Sequence, residues 1–489
     1  MISGRLFLFG TLAMNQTVFF EALGNALRKA GHGVAYLCFH ERSDEYLRQR
    51  GFRSFNAFRE GKGADDTIDL SKYGWSSLNL VLSHEKAAFE VNDTSALVRK
   101  LRRYLASSEA VLECLSAESG VLLVQELGGF LSNAASFYAA RRRGIDNIFI
   151  EPSFFRGRVF MFRNTFAARR VAGPSSPSVS DEVAAYLDDA LAKQRVVIPE
   201  KDRRHYRGPI RKLSDPYNLR RLVEKTTDKY LLGKHEEFAH IAGHVSRHMR
   251  MWLNFRALSR RYEELPPHGQ RFIYYPLHVP ADVSLTIRSP QYVDQLSLVD
   301  YVARAVPETC AVAIKEHPAL IGALDRRRMS DLLTKRDNVR LLKPWINNYE
   351  VMRRADLVLT VNSKSGAEAL LLGRPVVAIG DAFYSACNLV RRVDSLSDLP
   401  AALTGLLNAP VITRNFDTRR YFQDVWDASR PGELYDCNEK NVRTFAASLL
   451  SESGESSTPL GAAYLRQSGT YASPLGPEPS EPITRGRSS

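Results

Sequence analysis

Two short stretches in the second half of the chain carry side chains that suit phosphate binding. The first is Lys315-Glu316-His317-Pro318, which directly follows the apolar run AVAI. Lysine and histidine side chains donate hydrogen bonds to phosphate oxygens, and a proline fixes the turn that projects the imidazole away from the strand. We predict that Lys315 and His317 contact a phosphorylated ligand. The alternative is a histidine that makes only a local hydrogen bond in its own loop.

The second stretch is TVNSKSGAEALLLGRPVVAIG, in which an apolar run enters a small, hydroxyl-rich turn and a helix follows. Such a turn is predicted to form an anion-binding nest at the positive end of the helix. The predicted nest consists of Asn362, Ser363, Ser365 and the backbone N–H of Gly366. Glu368 is predicted to bind ribose or sugar hydroxyls, and the alternative is an ordinary acidic residue near the start of a helix.

Two carboxylates in the first half of the chain each follow a predicted strand. Glu126 lies in QELGGF and Glu151 lies in IEPSFFRG. A carboxylate at such a position can take a proton from an attacking hydroxyl or stabilise positive charge in a transition state. We therefore predict Glu126 and Glu151, together with His317, as catalytic candidates. For each carboxylate the alternative is a helix cap or a surface acid.

All of these side chains fall where strands are predicted to end, which is where open α/β sheets bind their ligands. In the first half, an apolar run at 5–9, an amphipathic stretch at 16–30 and the run GHGVAYLCF predict a βαβ unit. In the second half, five apolar runs recur with helical patterns between them: RFIYYPL, TCAVAIKEHP, NVRLLKP, ADLVLTV and PVVAIG. The pattern predicts an α/β protein with two doubly wound Rossmann-type domains.

The chain is predicted to divide into five segments. The middle of the chain is charge-rich with little strand character, which predicts helices, and the C-terminal end is rich in Ser, Gly and Pro, which predicts disorder. The segments are a Rossmann-like domain (1–173), a helical insertion (174–265), a second Rossmann-like domain (266–410), C-terminal helices packing back on the lobes (411–451) and a disordered tail (452–489).

Charge and cysteine content narrow the possible partners and compartment. The 489 residues include 67 Lys and Arg against 54 Asp and Glu, a net charge of +13 that attracts anions. No nucleic-acid reader motif accompanies this charge, so nucleic acid is not an expected partner. The five scattered cysteines form no C-x-x-C pair, which predicts free thiols in the cytoplasm. No run reaches the ~18 apolar residues of a membrane span, so any membrane contact is predicted to be peripheral.

The ordered motifs YPLHVPAD, KEHPAL and RRADLVLTVNSKSGAEALLLGRPVVAIGDAFY resemble the capsule polysaccharide synthesis family, which includes β-Kdo transferases acting on capsule lipid linkers. The likeness is strong over 272–388 and weaker over 1–160. It implies a GT-B fold that binds a nucleotide-sugar donor in the second lobe and an acceptor against the first. In related CMP-sugar enzymes, the residues at His317, Ser363 and Ser365 hold the nucleotide phosphate. His278 stands in a donor-binding loop where such relatives often have glutamine.

The resemblance implies a glycosyltransferase that adds an acidic sugar, Kdo from CMP-Kdo, to a lipid-linked or oligosaccharide acceptor. No metal and no other cofactor is expected, since the sequence has no Asp-x-Asp motif. The expected partners are the nucleotide sugar, the acceptor, other capsule-assembly proteins and the anionic inner face of the cytoplasmic membrane. Two alternatives stay open. One is a UDP or GDP sugar as donor, because an anion nest does not read the base, and the other is a non-catalytic role in capsule export or assembly.

Overall fold

Two α/β lobes account for most of the described chain. The computed structural model describes residues 4–62, 68–75, 77–118, 120–194, 216–238, 240–409 and 415–454. Residues 195–215 of the predicted helical insertion, and all of the predicted tail beyond residue 454, lie outside these ranges. The last described helix ends at Ser453, so the helical part extends two residues past the predicted boundary at 451.

The first lobe is built on a seven-stranded sheet in the order β13-β6-β5-β4-β1-β2-β3. The strands β1 to β5 are parallel, and at one edge β6 pairs antiparallel with β5 and β13 pairs antiparallel with β6. The topological switch point, at which ligands bind in such sheets, lies between β1 and β4. The strands are β1 (Leu6–Thr11), β2 (Gly33–Cys38), β3 (Arg53–Asn56), β4 (Val121–Glu126), β5 (Asp146–Pro152), β6 (Arg158–Arg163) and β13 (Arg430–Pro431).

Helices cover both faces of this sheet, and the burial of every residue of β1 reflects that double cover. The longest of these helices is capped by Asp93, whose carboxylate accepts a hydrogen bond from the amide of Ala96 and so satisfies one of the unpaired amides of the first turn. The helices are Met14–Lys29, Glu41–Gln49, Ala57–Glu60, Leu78–Phe89, Thr94–Cys114 and Leu131–Arg142.

The second lobe has a six-stranded sheet in the order β12-β11-β10-β7-β8-β9, parallel throughout. Its switch point lies between β7 and β10. The strands are β7 (Arg271–Pro276), β8 (Cys310–Lys315), β9 (Val339–Leu341), β10 (Leu357–Thr360), β11 (Val376–Ala378) and β12 (Arg391–Arg392). Its helices are Val283–Thr286, Gln295–Ala305, Arg326–Lys335, Asn348–Arg354, Lys364–Leu371 and Leu399–Asn408.

The segment between the sheets is helical where it is described. It contains the helices Asp181–Lys193, Pro216–Thr226 and Ile241–Leu258, with a π-helical turn at Thr227–Leu231. After the second sheet come the helices Asn415–Ala428 and Glu439–Ser453. The second of these packs on Met14–Lys29, and β13 pairs with β6, so the chain returns to the first lobe.

Two doubly wound sheets with a C-terminal return to the first lobe form a GT-B-like architecture, which confirms the predicted fold class. All five strands predicted in the second half are present as β7 to β11. The strands β6, β12 and β13 were not predicted. Two of them are only two residues long and are defined by the neighbour they pair with rather than by an apolar run of their own.

Candidate functional site

The turn after β10 lies at the switch point of the second sheet and is held by Ser363. The Ser363 amide donates to the hydroxyl of Thr360 at 3.0 Å, and its own hydroxyl caps the next helix by accepting from the Ser365 amide at 3.2 Å. The Gly366 amide donates to the Ser363 carbonyl at 3.0 Å. In this conformation the amides of Ser363, Ser365 and Gly366 are therefore all satisfied by the turn itself, and an anion would compete with those bonds.

Gly366 is required by close packing rather than by an unusual backbone angle. A Cβ atom at this position would lie 2.4 Å from the phenol oxygen of Tyr384. That tyrosine is fully buried and donates to the carbonyl of Ser363. The glycine thus lets the tyrosine hold the turn from below.

Beneath the turn lies a buried polar network that includes two of the predicted ligand contacts. Asn348 donates to the Ser365 hydroxyl at 3.0 Å and accepts from the phenol of Tyr274 at 2.5 Å. Lys315 donates to the carbonyl of Ile346 at 2.8 Å. Lys315 and Glu368 are each only 3% exposed in this conformation, and direct contact of either with a ligand stays a prediction.

Burial moves the pKa values of both charged groups in this network towards neutrality. It raises the pKa of Glu368 to about 7, against the opposing effects of Lys364, Asn348 and Lys315. It lowers the pKa of Lys315 to about 8, against the opposing effect of Glu368. Desolvation disfavours the charged form of each group, and their mutual attraction only partly offsets this.

Two predicted histidines lie beside each other at the carboxyl ends of β7 and β8. The Nδ1 atom of His317 accepts from the Ala319 amide at 3.2 Å, so the neutral imidazole carries its proton on Nε2 and can donate it. The backbone of His278 is fixed by Gln295, which accepts from its amide at 2.6 Å and donates to its carbonyl at 3.1 Å. Burial lowers the pKa of His278 to about 4, Asp282 opposes that shift, and His317 adds to it.

Three buried polar atoms around this loop have no hydrogen-bond partner among the described residues: Nε2 of His278, Nε2 of His84 and Oδ1 of Asn362. Most buried polar atoms in proteins are paired, so unpaired ones mark places where a ligand or water completes the site. The amide nitrogen of Asn362 is used within the lobe, since it donates to the carbonyl of Ser284 at 2.6 Å. Its carbonyl oxygen therefore keeps a fixed direction.

The first lobe contacts the loop after β7 through His84, which the sequence did not single out. Its Nδ1 atom lies 2.7 Å from the hydroxyl of Thr286, and the hydroxyl of Ser83 donates to the Thr286 carbonyl at 2.7 Å. Burial lowers the pKa of His84 to about 4, and Asp282 opposes this shift. A single histidine on an amphipathic helix gives no signal in the sequence, because its partner lies 202 positions away.

The predicted catalytic candidate Glu151 is engaged by the second lobe. Arg288 donates to both of its carboxylate oxygens, at 2.9 and 2.8 Å, and to the carbonyl of Phe166 at 2.7 Å. The Arg288 side chain is 4% exposed. In this conformation Glu151 therefore joins the two lobes, and its catalytic role stays a prediction.

Glu126, the other predicted carboxylate, lies at the switch point of the first sheet. It accepts from Gln16 at 3.1 Å and from the phenol of Tyr435. Gln16 also accepts from the amide of Leu12 at 2.7 Å, directly after β1. The structure thus brings the second-lobe candidates together in one region. Glu151 lies at the edge of that region, where it contacts Arg288. Glu126 lies elsewhere, at the end of a strand of the first sheet.

Two cavities lie along these edges. One, of about 210 Å³, lies between the lobes and is lined by Arg170, Arg288, Ser289 and Asp381 among others. The second, of about 310 Å³, lies at the carboxyl edge of the first sheet, beside residues that follow β1 and β2 and the helix Pro216–Thr226. Within the described ranges, no group of three or more His, Cys, Asp or Glu side chains is arranged to hold a metal ion.

Residues 211–395 match the profile of a family described as capsule polysaccharide biosynthesis protein. The predicted family resemblance is confirmed over this range. The matched range, 211–395, contains every second-lobe site residue named above. Among curated proteins, Protein FixF of Sinorhizobium fredii is 36% identical over 135 residues, which are 27% of this chain and 32% of that protein. The match thus spans about a third of that relative's length.

Solved structures with a similar chain path include two of Thermosulfurimonas dismutans KpsC. The beta Kdo 2,7 transferase is 16% identical, with 70% of this chain and 89% of that chain covered and a TM-score of 0.34. The beta Kdo 2,4 transferase is 13% identical, with 66% and 87% covered and a TM-score of 0.28. The UDP-GlcNAc 2-epimerase from Neisseria meningitidis is 14% identical, with 92% and 100% covered and a TM-score of 0.23. These TM-scores are low, and the GT-B-like architecture rests on the topology of the two sheets.

Proposed function

We propose that this protein is a glycosyltransferase of bacterial capsule or surface-polysaccharide biosynthesis. In this proposal it transfers an acidic sugar, Kdo from CMP-Kdo, to a lipid-linked or oligosaccharide acceptor. The observation that carries the proposal is the group of unpaired buried atoms, His278 Nε2 and Asn362 Oδ1, at the switch point of a lobe that matches the capsule family.

The second lobe is proposed to bind the donor. His317 would donate its Nε2 proton to a phosphate oxygen, and the hydroxyls of Ser363 and Ser365 lie at the start of a helix whose dipole favours negative charge. His278 and Asn362 are proposed to contact the sugar or the base. The buried network below would hold the turn in place, since Asn348 and Tyr384 fix it by side-chain hydrogen bonds.

The acceptor is proposed to approach from the first lobe. Glu126 and Glu151 are both proposed to take a proton from an acceptor hydroxyl. In this conformation Glu151 accepts from Arg288 at both oxygens, and Glu126 accepts from Gln16 and Tyr435. The 310 Å³ cavity at the carboxyl edge of the first sheet is the proposed site for the acceptor head. Metal independence and a cytoplasmic location at the inner membrane face are also part of the proposal.

Nucleotide-dependent thermal stabilisation tests the donor assignment. A ligand that binds only the native state raises the melting temperature, by an amount that grows with its concentration relative to its Kd. We expect CMP to stabilise the protein more than UDP, GDP or ADP. We expect His317→Ala to weaken CMP binding by at least about tenfold, which corresponds to the loss of one charge-assisted hydrogen bond.

His268→Ala is the matched control, because His268 is exposed in the same lobe. Its CMP response should equal that of the wild type. Preferential stabilisation by UDP or GDP would keep the transferase and replace the donor. A protein that no nucleotide stabilises would instead support the non-catalytic role in export or assembly.

A further inference from the structure

The helix Pro216–Thr226 and the turn after it present large apolar side chains to solvent. Five of them are between 55% and 79% exposed, and together they are called the apolar stripe: Leu219, Val223, Tyr230, Leu231 and Leu232. Leu219 and Val223 are four residues apart and therefore lie on one face of the helix. Isolated exposed leucines are common in proteins, but five large apolar side chains exposed on one helix and the turn that follows it are typical of an interaction surface.

The neighbouring helix Ile241–Leu258 extends this surface. Val245, Met249 and Leu253 follow one another at four-residue intervals and are 40% to 49% exposed. The helix packs against Pro216–Thr226, so the two exposed faces belong to one region. Across the described residues, none of the helices is long and apolar enough to cross a membrane, so any membrane contact through this region would be interfacial.

The charge around the apolar stripe favours an anionic partner. Residues 216–258 contain eight Lys and Arg against four Asp and Glu. Of these, Lys229, Arg250 and Arg256 are exposed and lie outside the 310 Å³ cavity, whereas none of the four acidic residues is exposed. Basic residues flanking an exposed apolar helix face are typical of helices that lie in the interface of an anionic bilayer.

The helix is fixed on the first lobe in a defined orientation. Arg42 of the first lobe pairs with Asp228 of the turn at 2.5 Å. Lys225 of the helix pairs at 2.7 Å with Glu236, whose backbone forms a β-bridge with His40 of the first lobe. The opposite side of the same helix lines the 310 Å³ cavity through Arg220, Arg221, Glu224 and Lys225. One helix therefore separates a cavity at the carboxyl edge of the first sheet from an exposed apolar face.

We infer that the apolar stripe docks on the surface of an anionic lipid bilayer and places the cavity beside it at the membrane. A lipid-linked acceptor could then seat its polar head in the cavity while its chain stays in the bilayer. The lipid nature of the acceptor rests on the proposed function, whereas the bilayer contact rests only on the exposed residues and their charge.

Vesicle cosedimentation of the full chain tests the inference. We expect binding to vesicles of phosphatidylcholine mixed with phosphatidylglycerol, weaker binding to phosphatidylcholine alone, and release by salt. The triple variant Leu219→Ser, Val223→Ser, Leu231→Ser should lower the vesicle partition coefficient by at least about tenfold, because three apolar side chains are lost from the contact. The control Trp345→Ser, Phe416→Ser removes side chains that are 60% and 66% exposed outside the apolar stripe and should bind as the wild type does.

Three results would overturn the inference. The wild type could fail to bind either vesicle, the triple variant could bind as well as the control, or the triple variant could change only the oligomeric state on size exclusion, which would assign the stripe to a second copy of the chain. Stabilisation by CMP, measured on the same variants, reports whether the second lobe is intact. Vesicle binding without any CMP response would refute the proposed donor and leave the bilayer contact standing.

Discussion

Replacing Glu151 by glutamine separates a structural role of this residue from a catalytic one. Arg288, 4% exposed, donates to both carboxylate oxygens, and the carboxylate is 24% exposed. Removing one member of a buried ion pair costs about 3 to 5 kcal/mol. The partial exposure of Glu151 and the acceptor oxygen kept by glutamine reduce this, so we expect Glu151→Gln to cost about 2 to 3 kcal/mol.

At about 2 to 4 °C per kcal/mol for domains of this size, the expected loss in Tm is about 4 to 12 °C, measured by differential scanning calorimetry. Glu118→Gln is the matched control, since it removes the same charge from a pair with Arg53 in which both side chains are more than 40% exposed. That variant should stay within about 1 kcal/mol of the wild type. If Glu151→Gln has the same Tm as the control and only its transfer activity falls, the stabilising role of the Arg288–Glu151 pair is wrong and Glu151 is catalytic.

Two further predictions concern the network under the turn. Burial raises the pKa of Glu368 to about 7, so the folded state holds a proton that the unfolded state has already lost, and the stability contribution of this group falls as the pH rises from 4.5 to about 7. Urea unfolding of the wild type should show the free energy of unfolding fall between pH 5 and pH 7, by about 3 kcal/mol at most, and this fall should be smaller in Glu368→Gln. An equal fall in both proteins would contradict the raised pKa of Glu368. Gly366→Ala should destabilise by about 1 to 3 kcal/mol because its methyl group meets the phenol of Tyr384, whereas Gly405→Ala, with nothing within 4 Å, should be neutral or stabilising. Equal melting temperatures for the two alanine variants would show that the turn does not depend on this contact.

The elements that sequence reasoning located best are those with a strong local pattern. The run AVAI predicted β8, and the hydroxyl-rich turn predicted the start of the helix that Ser363 caps, because burial on both faces and hydroxyl-rich helix starts each leave a local signature. The strand β13 had no such signature, since its two residues are defined only by pairing with β6 from the other end of the chain.

The same distinction applies to the candidate site. Positions at strand ends were predictable, because parallel sheets bring their carboxyl ends to one edge. The partners of those residues were not. Arg288 meets Glu151 across 137 positions, and Tyr435 meets Glu126 across 309, through contacts that exist only once the lobes have packed. The burial of Lys315 and Glu368 could not be predicted from the sequence either, because charged residues are most often exposed.

Direct transfer of the sugar tests the central claim most closely. The purified protein would be incubated with CMP-Kdo and lipid-linked glycan extracted from capsulated cells, and acceptor mass and released CMP would be measured by mass spectrometry. The proposed function predicts an acceptor heavier by one Kdo residue with an equal amount of CMP released, both reduced in His317→Ala. An unchanged acceptor and no CMP release beyond that of protein-free controls would contradict it.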